Sequence, residues 1–163
     1  MLVTYVGVGE AFDTVLPTCS LLVESRGGSI LLDCGFTAAQ SFYSVASDPL
    51  DLDAVYISHF HGDHWFGLPH LLLRLWEDDR EKPLDIVGQE GVGPRVEQLM
   101  DMAFAGVRER FKFECRYHEV AAGTTRQVGE FELSCAESEH PLTNLSVLVR
   151  DAEGSRVFYS GDG

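Results

Sequence analysis

No stretch of this chain approaches the roughly 18 consecutive apolar residues of a membrane-spanning helix. The opening Met1-Leu-Val-Thr-Tyr-Val has neither the charged leader nor the small-residue cleavage site of a secretory signal. A cytoplasmic protein without a membrane partner is the expectation. Positive charge is scarce: 12 Lys and Arg face 26 Asp and Glu, a formal charge of −14. That balance argues against a protein whose main task is to grip a nucleic-acid backbone. Cys19, Cys34, Cys115 and Cys135 show neither Cys-x-x-Cys spacing nor the density of a disulfide scaffold, so they read as reduced core residues. Gly7-Val8-Gly9 lacks the third glycine of a dinucleotide fingerprint, and Glu10 beside it would repel a phosphate. Internal repeats, low-complexity tracts and interdomain linkers are also missing. Residues 1–163 therefore read as a single domain, long enough for a sizeable core.

What the chain has instead is a dense group of metal-ligand residue types. Residues 55–67 run Val-Tyr-Ile-Ser-His-Phe-His-Gly-Asp-His-Trp-Phe-Gly, which places His59, His61, Asp63 and His64 within six positions. Three imidazoles and a carboxylate suit a divalent ion of borderline softness, of which zinc is the commonest. Residues 55–58 read as a short buried strand, so the group stands where a strand gives way to a glycine turn. Along a strand His59 and His61 would share a face, and a turn at Gly62 would send Asp63 and His64 elsewhere. Two subsets aimed at two nearby points are what a two-metal site needs. His70, on a leucine-rich helix, and His118, in a strand, are isolated and read as ordinary structural residues.

The rest of the chain supplies a scaffold. Strand patterns at 2–8, 20–24 and 29–33 include a hairpin at Ser25-Arg-Gly-Gly, and the third strand ends in Asp33. A helix is expected over 37–46, stopped by Asp48-Pro49, another over 65–77 with Leu68, Leu71, Leu72 and Leu75 on one face, and a third from Gly93-Pro94 to about Phe104. Strands at 85–88, 111–119, 126–128, 130–136, 145–150 and 156–159 complete the pattern, the last two joined by Asp151-Ala-Glu-Gly. About ten strand segments and three helices, with helices between strands early and hairpins late, predict an α/β layered fold on mixed sheets. His140 follows one late strand and Asp162 ends another, in Tyr-Ser-Gly-Asp-Gly. Both are ligand types at strand ends.

The order of these features resembles the metallo-β-lactamase superfamily of metal-dependent hydrolases, an αββα sandwich of mixed sheets. His-x-His-x-Asp-His, the earlier strand ending in Asp33, the later His140 and the Tyr-Ser-Gly-Asp at Asp162 all take part. His-Gly-Asp-His-Trp-Phe-Gly-Leu-Pro and the opening Gly7 to Asp13 are similar to the ribonuclease Z and cyclic-phosphodiesterase branch rather than to the glyoxalase II branch. The resemblance implies that His59, His61 and His140 hold one metal, that Asp63 and His64 hold a second, and that Asp162 bridges them. Asp33 would support the ligands from behind, and Asp63 would also orient the attacking water or carry its proton. The implied cofactor is zinc, two ions per complete site, with manganese or iron as other candidates. The implied activity is hydrolysis of a phosphodiester or similar ester by a metal-bound hydroxide.

Two departures from the family pattern shape the expectation. The family carries a final histidine for the second metal beyond the Gly-Asp motif, whereas this chain stops at Gly163. A C-terminal part is thus expected to be missing, and uncovered apolar faces at 145–150 and 156–159 would then favour homo-oligomers. Tyr-Ser-Gly-Asp also follows His140 after only a hairpin, leaving no room for the long tRNA-gripping arm of bacterial ribonuclease Z. With the acidic charge, this argues against tRNA and for a small ester or phosphodiester as the partner. The other readings are a metal-binding or interaction module without catalysis and a lactone or thioester hydrolase. A di-iron redox protein is disfavoured because His61 stands where that group carries a carboxylate.

Overall fold

A computed structural model describes residues 1–163 as two stacked sheets with helices on one side. The first sheet contains β1 (Leu2–Gly7), β2 (Ser20–Ser25), β3 (Gly28–Leu32), β4 (Ala54–Tyr56), β5 (Leu84–Gly88) and β6 (Cys115–Glu119), hydrogen-bonded in that order. β1 to β3 are antiparallel, β2 and β3 being joined by a tight turn and β1 and β2 by the segment 8–19, and β3 to β6 are parallel. Parallel neighbours need a crossover, and these are made by α1 (Ala38–Val45), by α2 (Gly62–Trp65) with α3 (Leu68–Glu77), and by α4 (Val92–Ala103). The second sheet is an antiparallel meander of β7 (Thr125–Val128), β8 (Phe131–Ser138), β9 (Asn144–Arg150) and β10 (Arg156–Tyr159).

Strand alternation explains why the first sheet can be covered twice. Leu22, Leu31, Val55 and Ile86 point to one face and pack with Phe42 of α1, Leu68, Leu71, Leu72 and Leu75 of α3, and Val96 and Met100 of α4. Their neighbours Val23, Ile30, Leu32, Tyr56 and Val87 point to the other face and meet Phe131, Leu133, Val147 and Val149 of the second sheet. Burying a leucine of this kind contributes about 1.5–3 kcal/mol, so the α3 stripe alone is a large part of what holds the helices down. The layers run helix, sheet, sheet, and the second sheet presents its outer face without a helix from residues 1–163. No helix is long and apolar enough to cross a membrane.

Three local expectations are corrected. The helix expected over 65–77 is broken into α2 and α3: Gly67 N–H leaves the helical ladder for the Cys34 carbonyl at 2.9 Å, at an approach so close that a Cβ there would collide with the Gly35 carbonyl. The strand expected over 111–119 begins only at Cys115. Phe111 and Phe113, which gave it an apolar alternation, stack on each other with ring centroids 4.8 Å apart beside Trp76 instead of joining the sheet. The strand expected over 55–58 ends at Tyr56, because Ser58 N–H turns away from the ladder to the Asp33 carboxylate.

Candidate metal centre

The parallel strands β3 and β4 end side by side, and the seam between the sheets opens there. Asp33 follows β3 with φ of 61°, in the left-handed region that Asp tolerates better than most residues. His59 and His61 lie just past β4 in extended chain rather than in the strand expected for them. The helical turn of α2, not an open turn at Gly62, carries Asp63 and His64. Gly35 permits this turn to dock: a Cβ at that position would strike the Asp63 carbonyl. His140 comes from the loop between β8 and β9, and Asp162 from the end of β10. Gly161, just before it, adopts φ of +62° in a space closed by Asn144 and Ser58, which only glycine fits.

These residues form two groups of donor atoms, His59 with His61, His140 and Asp162, and Asp63 with His64 and Asp162. In the first, His61 Nδ1 is 3.0 Å from His59 Nε2 and 3.0 Å from His140 Nε2, and Asp162 Oδ2 is 3.8 Å from His59 Nε2. In the second, His64 Nε2 is 3.3 Å from Asp63 Oδ2 and 3.1 Å from Asp162 Oδ1. The two oxygens of Asp162 therefore face different groups. Basic nitrogens and carboxylate oxygens aimed at one point repel unless a proton or a cation lies between them. A tetrahedral ion with ligands at about 2.1 Å wants donors about 3.4 Å apart, and the separations above fall on both sides of that value. The donor set fits a divalent metal.

Burial tunes the imidazoles. His59 is fully buried, and loss of solvent together with the neighbouring His64 pushes its pKa down to about 4. For His64 burial acts the same way, but the hydrogen bond to Asp33 and the charges of Asp33, Asp162 and Asp63 outweigh it and raise the pKa. Behind the donors, Asp33 is itself fully buried and accepts from Ser58 N at 2.7 Å, Ser58 Oγ at 2.7 Å, Tyr159 OH at 2.7 Å and His64 Nδ1 at 2.6 Å. Ser58, Tyr159 and Asn144, whose amide holds the Ser160 carbonyl at 2.7 Å, were not singled out from the sequence. Ser58 precedes His59 and Tyr159 opens the Tyr-Ser-Gly-Asp motif, but polar side chains in or beside a motif are too common to carry a role unaided. His70 is exposed, and His118 bonds to Asp85 at 2.7 Å and to Arg126, so neither joins the donor groups. All four cysteines are free; Cys34 and Cys135 are buried as core residues, whereas Cys19 and Cys115 are only half-buried. A cavity of about 370 Å3 opens beside Asp63, His64 and Asp162, with Val8, Glu10 and Phe12 on its other wall.

Residues 1–163 match the family model described as Anti-Pycsar protein Apyc1. The chain belongs to that family. Among curated proteins it is similar to the ribonuclease Z of Methanothermobacter thermautotrophicus, 27% identical over 157 residues that make up 96% of this chain and 50% of the relative. The chain thus spans about half the length of the curated relatives it matches. Among solved structures, human tRNase Z, short form, superposes with a TM-score of 0.81 at 20% identity, covering 98% of this chain and 68% of that one. The metallo-β-lactamase fold protein YhfI of Bacillus subtilis gives a TM-score of 0.77 at 21% identity over 98% of this chain and 62% of its own. The family member described here has the metallo-β-lactamase fold, as its motif order implied.

Proposed function

We propose that this chain carries the centre of a two-metal hydrolase that cleaves a phosphodiester. The observation that supports it is the placement of Asp162, whose two carboxylate oxygens face two separate donor groups. His59, His61 and His140 would hold one ion, Asp63 and His64 the other, and Asp162 would bridge them. Zinc suits a set this rich in imidazole, with manganese and iron as the alternatives to test. When bound, such ions supply a water of lowered pKa and positive charge for the anionic transition state. Asp63, partly exposed beside the cavity, orients the attacking water and holds its proton. Fully buried His59 and His64 keep their donor atoms dry and fixed while a substrate oxygen approaches from the open side.

A small phosphodiester fits better than tRNA. The cavity is of a size for a small ligand, His140 and Asp162 are joined only through β9, a tight turn and β10, and the charge of −14 opposes a long polyanion. One feature favours a second reading: the Asp63 and His64 group has three donors where the other has four, so this chain could bind a single ion without hydrolysis. Assay with zinc or manganese against bis(p-nitrophenyl) phosphate and a cyclic nucleotide, beside a lactone and a thioester, separates the readings. Turnover of the first pair is the expected result. Turnover confined to the second pair overturns the phosphodiester assignment, and metal binding with no turnover of any of the four supports the non-catalytic reading.

A further inference from the structure

Ser58 touches both the buried carboxylate and a candidate ligand. Its Oγ lies 2.7 Å from Asp33 Oδ2 and 3.0 Å from His59 Nδ1, and it is fully buried. A hydroxyl has one proton to give. If Ser58 gave it to His59, its oxygen lone pair would sit 2.7 Å from a carboxylate oxygen in a dry site, which is unfavourable. A charge-assisted bond to a carboxylate is roughly twice as strong as a neutral one, so the proton goes to Asp33. Ser58 Oγ is then left only with lone pairs towards His59, and Nδ1 of that ring must be the protonated nitrogen. The unprotonated Nε2 is thereby turned to His61 and Asp162. Across the same carboxylate, His64 Nδ1 donates directly to Asp33 at 2.6 Å, which turns its Nε2 to Asp63 and Asp162.

We infer that Ser58 is a positioning residue, relaying the Asp33 carboxylate to His59 so that one buried charge fixes the proton on Nδ1 of an imidazole in each of the two donor groups. Asp33 reaches the nearer histidine itself and the farther one through Ser58, while Tyr159 OH, at 2.7 Å, and Ser58 N–H hold the carboxylate in place. Partners of this kind raise ligand basicity and fix ring orientation, and losing one weakens metal binding about 10–100-fold. The consequence for metal depends on the hydrolase reading above; the tautomer does not.

Two measurements on the 163-residue chain test it. In the metal-free chain, ring 15N shifts read the tautomers directly: Nδ1–H is expected at both His59 and His64, and S58A is expected to release His59 alone. An Nε2–H tautomer at His59 in the parent chain, or an unchanged His59 in S58A, overturns the relay even if the chain is no hydrolase. In a chelator competition with Co2+, S58A is expected to lose about 10–100-fold in affinity at the four-donor group, S58T to recover most of it, and D33N to weaken both groups. Equal affinity in S58A and the parent, or an S58T no better than S58A while its circular dichroism and melting match the parent, overturns it as well. A parent chain that binds no Co2+ while showing the expected tautomers counts against the hydrolase and supports the relay.

Discussion

The two donor groups share Asp162 as a donor and Asp33 as the carboxylate behind them, and are otherwise assembled differently. His59, His61, His140 and Asp162 come from the end of β4, the β8–β9 loop and the end of β10, so this group exists only once both sheets are stacked. Asp63 and His64 are consecutive residues of α2, and their group needs distant chain only for the shared carboxylate. The group assembled from afar is the one with four donors, and the local one has three. Spacing along the chain thus says little about how complete a site is. It is the seam between the sheets, where strand ends converge, that collects ligands. The groups also differ in how they are anchored, His64 bonding Asp33 directly and His59 only by way of Ser58.

Substitutions can break this comparison in order of expected effect. D162A removes the one shared donor, so metal analysis should find both ions lost and hydrolysis of bis(p-nitrophenyl) phosphate abolished; loss of a single equivalent would mean the carboxylate serves one group only. H140A and H64A should divide the groups, each weakening one ion and sparing the other, as read by titration with Co2+. If either variant empties both, the groups are not separable. D63N keeps an oxygen near His64 but no longer accepts a proton well, and kcat should fall about 10²–10⁴-fold, the usual worth of a positioned acid or base, with the four-donor group still loaded. The smallest effect is expected of Y159F. It takes one of four donors from buried Asp33, and urea unfolding should show a loss of about 1–3 kcal/mol, the cost of an unmet buried polar contact. An unchanged midpoint would remove Tyr159 from the account of how the carboxylate is held.

Much of the scaffold was readable because it rests on periodicity. Leu68, Leu71, Leu72 and Leu75 of α3 recur at helical spacing and are buried on one face, and the strands around Val23, Ile30 and Val147 are short apolar runs buried along most of their length. Errors fell where packing overrides pattern. Phe111 and Phe113 alternate like a strand but are used as a stacked pair against Trp76, and His59 and His61 converge without lying in a strand at all. The candidate ligands were visible as residue types, and their order suggested the metallo-β-lactamase fold. The way Ser58 and Tyr159 meet on Asp33 was not visible, since they are 101 positions apart in a sequence of 163 residues and neither type signals a role by itself.

By itself, then, the sequence determined which chemistry is available: a cluster of imidazoles and carboxylates at 59–64, Asp33, His140 and Asp162 to join it, and the alternating apolar positions that make two sheets and a helical layer. Residue type and local spacing suffice for that, because propensity and ligand chemistry are properties of short segments. Only the tertiary structure decided that Asp162 faces two groups at once and that a single buried carboxylate stands behind both. Those relations depend on register and on the angle at which two sheets stack, and side-chain direction at a strand end is set by the contacts that surround it rather than by its neighbours in the chain.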